Sequence, residues 1–166
     1  RPGHVPEGKV ISTLHSHYDI MPTVLAYLGV DNSGSDALPG NSFSSLLQGE
    51  DLDGANHVVV FDEYGPTRMI RTKSWKYVHR YPFGPHEFYD LENDPSEKEN
   101  LVDQDKHQDI RQSMMADLDT FFARYADPQR DGSREAVYGR GQLDIVGPAA
   151  KGRKRFGDDL VFERDK

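Results

Sequence analysis

The chain has 166 residues, 36% hydrophobic and 29% charged, with a formal net charge of −8. That acidic balance excludes a nucleic-acid binder, which needs a basic surface to neutralise phosphates, and no apolar run approaches the roughly 18 to 20 residues of a membrane span. The absence of cysteine excludes disulfides, thiolate metal ligands and a cysteine nucleophile within these residues.

Taken in order, RPGHVPEGKV is rich in Pro and Gly and reads as a loop leading into a short extended piece. No secretory signal pattern is visible, and the compartment stays open because a processed chain would lack one. In SHYDIMPTVLAYLGV, Ile20, Val24, Leu25 and Leu28 recur at helical spacing and predict a helix over 20–28. Asp19 stands where a cap is wanted, Pro22 falls in the first turn, and Gly29 stands where a left-handed residue closes a helix. Residues 31–56 are mostly turn formers, interrupted by Phe43, Leu46 and Leu47, whose spacing predicts one helical turn.

The period then switches to strands. HVVVFDEY (57–64), TRMIRT (67–72), WKYVHRY (75–81) and HEFYDL (86–91) are separated by short turns, which predicts a four-stranded antiparallel meander. Trp75, Tyr77 and His79 share one face and Lys76, Val78 and Arg80 the other, so one face packs on a further layer. Ile110, Met114, Leu118, Phe121, Phe122 and Tyr125 mark that layer as a long amphipathic helix over about 104–125, with Asp103 or Asp105 as its cap and Asp127-Pro128 ending it. Sheet and helix together predict an α+β unit. Beyond it the Gly-rich remainder shows no sustained period and reads as an irregular tail.

Several stretches carry candidate chemistry. The acidic run FYDLENDPSEKENL (88–101) places Asp90, Glu92 and Asp94 at positions 1, 3 and 5 of a calcium-loop template. The template fails at position 6, where Pro95 replaces the required glycine, and at position 12, where Leu101 replaces the bidentate glutamate; the run reads as a solvated connector. His15 and His17 flank Ser16 close to Asp19, a pattern shared by metal sites and ordinary hydrogen bonding. The turn YPFGPHEF offers Tyr81, Phe83 and His86 at the tip of a hairpin, where ligand contact and simple turn chemistry are both open. No nucleophile elbow or Ser-x-x-Lys signature is present, and GRGQ (139–142) is only half of a phosphate-loop pattern. Lys151, Arg153, Lys154 and Arg155 form a basic cluster in the tail that is either solvated or suited to an anion.

Four of these stretches together resemble one family, the sulfatases. SHYDIMPTVLAYLGV resembles their Asp-Ile-x-Pro-Thr segment, LPGNSFSSLL their Leu-x-Gly-x-Ser segment, RMIRTKSWKYVHRY with HEFYDLENDPSEKENL their closing hairpin, and RPGHVPEG the loop before them. The likeness runs in family order over about residues 1–125.

The resemblance implies an α/β parent of the alkaline phosphatase type, of which this chain is the end plus an α+β subdomain with a four-stranded antiparallel sheet and one long helix. Residues 1–50 would be the last part of the catalytic domain, 51–126 the sheet-and-helix subdomain and 127–166 an irregular tail. The family hydrolyses sulfate esters with a formylglycine nucleophile and Ca2+; neither the Cys/Ser-x-Pro-x-Arg motif nor the calcium ligands match this sequence, so no catalytic or metal residue is carried over and both would lie upstream. The chain alone is then expected to be inactive, with the N-terminal catalytic portion as partner and a sulfated small molecule or sugar as substrate. Its expected substrate contacts are Tyr81, His86, His15 and His17. A phosphodiesterase or phosphonate monoester hydrolase of the same superfamily, or a non-catalytic binding module, are the alternative readings.

Overall fold

The computed structural model describes residues 4–31, 37–62, 66–81, 83–133 and 147–151. They form two compact units, one ending at Val58 and one starting at Val59.

In the first unit a 3-10 turn, His17–Asp19, runs into helix α1, Ile20–Tyr27. Pro22 is accommodated in the first turn of α1 as expected. The helix closes on Gly29 at φ 70°, with Gly29 N–H donating to Ala26 O (3.1 Å) and Val30 N–H to Leu25 O (2.9 Å), the paired bonds of a glycine-terminated helix. The cap differs from expectation. Asp19 makes no side-chain capping bond to α1; Ser16 caps the 3-10 turn instead, and the Asp19 carboxylate turns back to the Ser16 N–H at 2.7 Å. The apolar stripe also behaves differently from an ordinary amphipathic face. Pro22 and Thr23 are the buried positions of α1, whereas Val24 is 49% and Leu28 67% exposed. Phe43, Leu46 and Leu47 do build a helical turn, with helix α2 at Ser44–Leu47 and Leu46 buried.

Strand β1, Val58–Phe61, begins at the boundary of the two units and is followed by β2, Thr67–Arg71, β3, Trp75–Arg80, and β4, Glu87–Asp90. They lie in chain order in one sheet, as short turns between consecutive strands dictate. β3 pairs antiparallel with both neighbours, and its register sets Ile70, Tyr77 and Phe88 in one row across three strands. That row meets helix α3, Gln108–Tyr125, through Met114 and Leu118, with Val59 and Leu101 completing the core. Trp75 stacks flat on Phe88, rings 5.0 Å apart and 2° from parallel. The expected helix is thus present, entered through a 3-10 turn at Asp105–His107 and ended at Ala126. Neither Asp103 nor Asp105 caps it: the residues before each helical segment are Gln104 and His107, and neither makes a side-chain capping bond.

The acidic connector between β4 and α3 is built by its own carboxylates. Asp90 Oδ1 accepts from the Glu92 and Asn93 N–H groups, and Asp94 Oδ2 from those of Lys98 and Glu99 at 2.6 and 2.8 Å. These bonds let Glu97 adopt φ 54° and bring its carboxylate to Lys76 Nζ at 2.5 Å. Asn100 ends the connector, its Oδ1 accepting from Phe88 N–H (2.9 Å) and Val102 N–H (3.1 Å) while its Nδ2 donates to His86 O (3.1 Å). Of the carboxylates that resemble a calcium loop, Asp90 and Asp94 therefore satisfy backbone N–H groups, and Glu92 accepts from the Ser74 hydroxyl.

Candidate functional site

The turn between β3 and β4 has the most organised cluster of polar aromatic side chains among the described residues. His79, on the last residues of β3, lies at its centre. Its Nδ1 is 2.8 Å from the Tyr77 hydroxyl, its ring meets Tyr81 edge-on at 4.3 Å, and the His86 ring stacks on it at 4.3 Å and 18°. Alternation along an extended chain explains part of this: residues 77, 79 and 81 share a face. His86 reaches the same place from across the turn because the chain reverses tightly at Gly84, where φ is 94° and a Cβ would sit 2.8 Å from His86 N.

Arg80 forms the base of the turn. Its N–H donates to His86 Nδ1 (3.2 Å), its carbonyl accepts from Gly84 N–H (2.8 Å), and its guanidinium donates to Pro85 O (2.8 Å) and pairs with Glu87 (2.7 Å). Tyr81 and His86 are consequently half-buried, and Phe83 is the side chain the turn projects outward, 91% exposed.

The electrostatics follow from this packing. Burial pushes the Tyr77 and Tyr81 hydroxyls above the usual tyrosine range. Burial also holds His79 below the ordinary histidine value, and the neighbouring His86 depresses it further. Beneath the cluster Arg68 is buried, its guanidinium 3.6 Å over the Phe122 ring and 5.1 Å from that of Tyr81, with Nη2 donating to Asp131 at 2.7 Å. Arg68 Nε has no hydrogen-bond partner. Burial raises the Asp131 carboxyl, but its Ser133 bonds and the Arg68 charge outweigh that and hold it below the usual range. Asp131 thereby pins the segment after α3, against which residues 147–151 pack through an Ala149 N–H to Gln129 O bond of 2.7 Å.

His15 and His17 belong to the first unit. His15 is half-buried, tilted against Phe43 at 4.7 Å, with Nε2 2.8 Å from Thr13 Oγ1 and Nδ1 3.8 Å from Asp19. His17 is exposed on the 3-10 turn. Asp19 organises this region: besides Ser16 N–H it accepts from Asn41 N–H at 2.8 Å, while Thr23 Oγ1 donates to Asp19 O (2.6 Å) and accepts from Phe43 N–H (3.0 Å). Gly40 completes the join, since a Cβ there would lie 2.2 Å from Tyr18 O. Of the expected contact residues, then, the structure groups Tyr81 with His86 around His79, and His15 with Asp19. His79, Arg68 and Asn100 were not singled out from sequence, although the shared face of 75, 77 and 79 was. Among the described residues no three His, Asp or Glu side chains converge as a metal ion would need. GRGQ and Arg153, Lys154 and Arg155 lie outside the described residues.

The sheet with one long helix lies in a chain whose fold matches part of solved sulfatase structures. Residues 1–124 match the family described as N-sulphoglucosamine sulphohydrolase, C-terminal, and the chain belongs to that family. A Delta 4,5-hexuronate-2-O-sulfatase of Bacteroides thetaiotaomicron is 31% identical over 68% of this chain and 24% of its own length. An ulvan-active sulfatase of Formosa agariphila is 26% identical over 70% of this chain and 30% of its own. Among solved structures, that of a 2-O GAG sulfatase superposes with a TM-score of 0.56 at 26% identity, over 83% of this chain and 29% of that one. The chain thus spans less than a third of the length of the curated relatives it matches.

Proposed function

We propose that this chain is the closing portion of an enzyme that hydrolyses a sulfate ester, and that it supplies packing and outer substrate contacts while the reacting groups lie upstream. The observation that carries this is the apolar side of α1. A family member that leaves Val24 and Leu28 about half or more exposed has a hydrophobic surface awaiting cover, and the N-terminal catalytic portion of the same polypeptide is the partner that the extra length of the relatives supplies. In this reading residues 1–50 complete the catalytic domain, 51–126 form the subdomain, and 127–166 trail from it. The formylglycine nucleophile and Ca2+ would supply attack on sulfur and charge stabilisation; no described residue of this chain is placed to hold either.

For the substrate we infer a sulfated sugar, because the relatives include sulfatases of hexuronates and ulvan, and a solved relative with 26% identity and TM-score 0.57 is described in complex with D-glucosamine-2-N,6-O-disulfate. Tyr81 and His86 are the contacts we assign to it, with His15 and His17 as further contacts. His86 Nδ1 is occupied by the Arg80 N–H, which leaves Nε2 as the ring atom able to meet a hydroxyl or sulfate oxygen. The half-buried Tyr81 is oriented by its packing on His79.

The test is kcat/KM of the full-length protein on sulfated mono- and disaccharides, for the wild type and for Tyr81→Phe and His86→Gln. Losses of about tenfold, one hydrogen bond's worth in a transition state, on sugar substrates but not on a small aryl sulfate would support outer contact. Unchanged values on all substrates would remove both residues from the site. Preferential hydrolysis of phosphonate monoesters or phosphodiesters would overturn the sulfatase reading, and activity of residues 1–166 alone would overturn the division of labour.

A further inference from the structure

The His79 and His86 stack has a property that substrate contact does not use. The Arg80 main-chain N–H donates to His86 Nδ1 at 3.2 Å, and a ring nitrogen accepts only while it carries no proton. For that bond to form, the ring proton must sit on Nε2. Protonation of Nδ1 sets two N–H donors against each other at the base of the turn. The stacked partner adds to this, because two imidazolium rings 4.3 Å apart repel.

The charged and titratable groups around the pair come from every element packed on it. β2 contributes Arg68, which faces His79 in the register and disfavours its protonation; α3 contributes Asp119, which favours it; Tyr77 and Tyr81 flank the ring from β3 and its end. Around His86 stand Arg80 and Glu87, already paired with each other at 2.7 Å. The single carboxylate acting on His79 is thus opposed by burial, His86 and Arg68, and the balance favours a neutral His79.

We propose that the His79 and His86 stack is a proton-sensitive latch on the turn between β3 and β4, closed while both rings are neutral and released when they take up protons. Three of the four links at Arg80, those to Gly84 N–H, Pro85 O and Glu87, involve no imidazole. Release therefore loosens the turn and its outward Phe83 without unfolding the sheet. The direction is set by the sign of the linkage: a histidine held below its ordinary value supports the folded form above the histidine range, and that support is lost as pH falls through the range.

The test is hydrogen exchange by mass spectrometry on the full-length protein, read on peptides covering 80–86 and corrected for the intrinsic rate. Between about pH 8 and about pH 5, a span that brackets histidine titration, the wild type should lose about tenfold in protection there, one hydrogen bond's worth, while the core peptides around Ile70 and Phe88 keep theirs. His86→Asn, whose amide oxygen can accept from Arg80 N–H without titrating, should stay protected at both values. His86→Ala should show the released, about tenfold lower protection at both. Equal wild-type protection across the range, or the same loss in His86→Asn, overturns the latch. Should His86→Asn disturb the core peptides, the wild-type titration decides alone: a midpoint in the histidine range supports the latch, and one in the carboxylate range overturns it. Sugar kinetics play no part in this readout, so it stands or falls separately from the substrate contacts.

Discussion

Replacing Asp19 by Ala removes one carboxylate that accepts from two main-chain N–H groups more than twenty positions apart, Ser16 at 2.7 Å and Asn41 at 2.8 Å. Asp19 is buried, so water cannot fully replace it at either donor. Each orphaned N–H costs roughly 1 to 3 kcal/mol; because both bonds are only partly buried, the lower half applies, and the sum is about 2 to 4 kcal/mol. At 1.4 kcal/mol per tenfold, local opening becomes about 30 to 1,000 times more frequent. Hydrogen exchange of the full-length protein on peptides covering 13–19 and 39–43 measures this directly. Asp19→Asn keeps one accepting oxygen and turns an amide donor on the other N–H, so it should expose one segment more than the other. If Asp19→Ala kept protection within about threefold at both segments, the carboxylate would not be what joins them, and the argument from two orphaned donors would be wrong.

Three further outcomes follow from the packing. Gly40→Ala should destabilise the first unit by about 3 kcal/mol or more, since the added methyl meets Tyr18 O at 2.2 Å in a backbone already at φ 114°; a thermal melt of the full-length protein unchanged within error would refute it. Phe88→Ala, which empties a fully buried position beneath Trp75, should cost about 3 to 5 kcal/mol, read as lost hydrogen-exchange protection on peptides covering 67–80 of the full-length protein. Arg68→Ala should cost about 3 kcal/mol, the low end for breaking a buried pair because Asp131 keeps its Ser133 bond and some solvent, and it should raise exchange at 129–133. Arg68→Met should recover much of that loss, because it refills the space on Phe122 without an unpartnered Nε.

Strands β2, β3 and β4 were legible in the sequence to within one residue at each end because their signals are local: alternation and short turns each act over a few residues, as does the stripe of α3; the expected first strand, 57–64, stops at Phe61, and its residues 63–64 lie outside the described residues. The stripe of α1 carried the same kind of signal and predicted a helix correctly, yet periodicity says nothing of what covers it, and Val24 and Leu28 stay exposed. Asp103 and Asp105 do not cap the long helix, and at Asp19 the reason the cap assignment failed is visible. A carboxylate near a helix start has several N–H donors within reach, and at Asp19 the winners were Ser16 and Asn41, the second of them invisible to any local rule. His79 was missed because its partners come from across a turn; its place on the face of Tyr77 was readable, its stack on His86 was not. The acidic run was read as a solvated connector, and the bonds of Asp90 and Asp94 to the chain around them show that its carboxylates also hold their own backbone.

That last feature bears on how the protein meets a protease. A charged, exposed stretch between a strand and a helix is ordinarily where a chain is nicked first, because cleavage needs several residues to unfold into an extended form. Here Asp94 ties the N–H groups of Lys98 and Glu99, and Asn100 ties the connector's end to β4 and to His86. To be cut, the connector must first surrender those bonds, so trypsin finds Lys98 at the surface in a backbone it cannot readily extend, and the subdomain outlasts its composition.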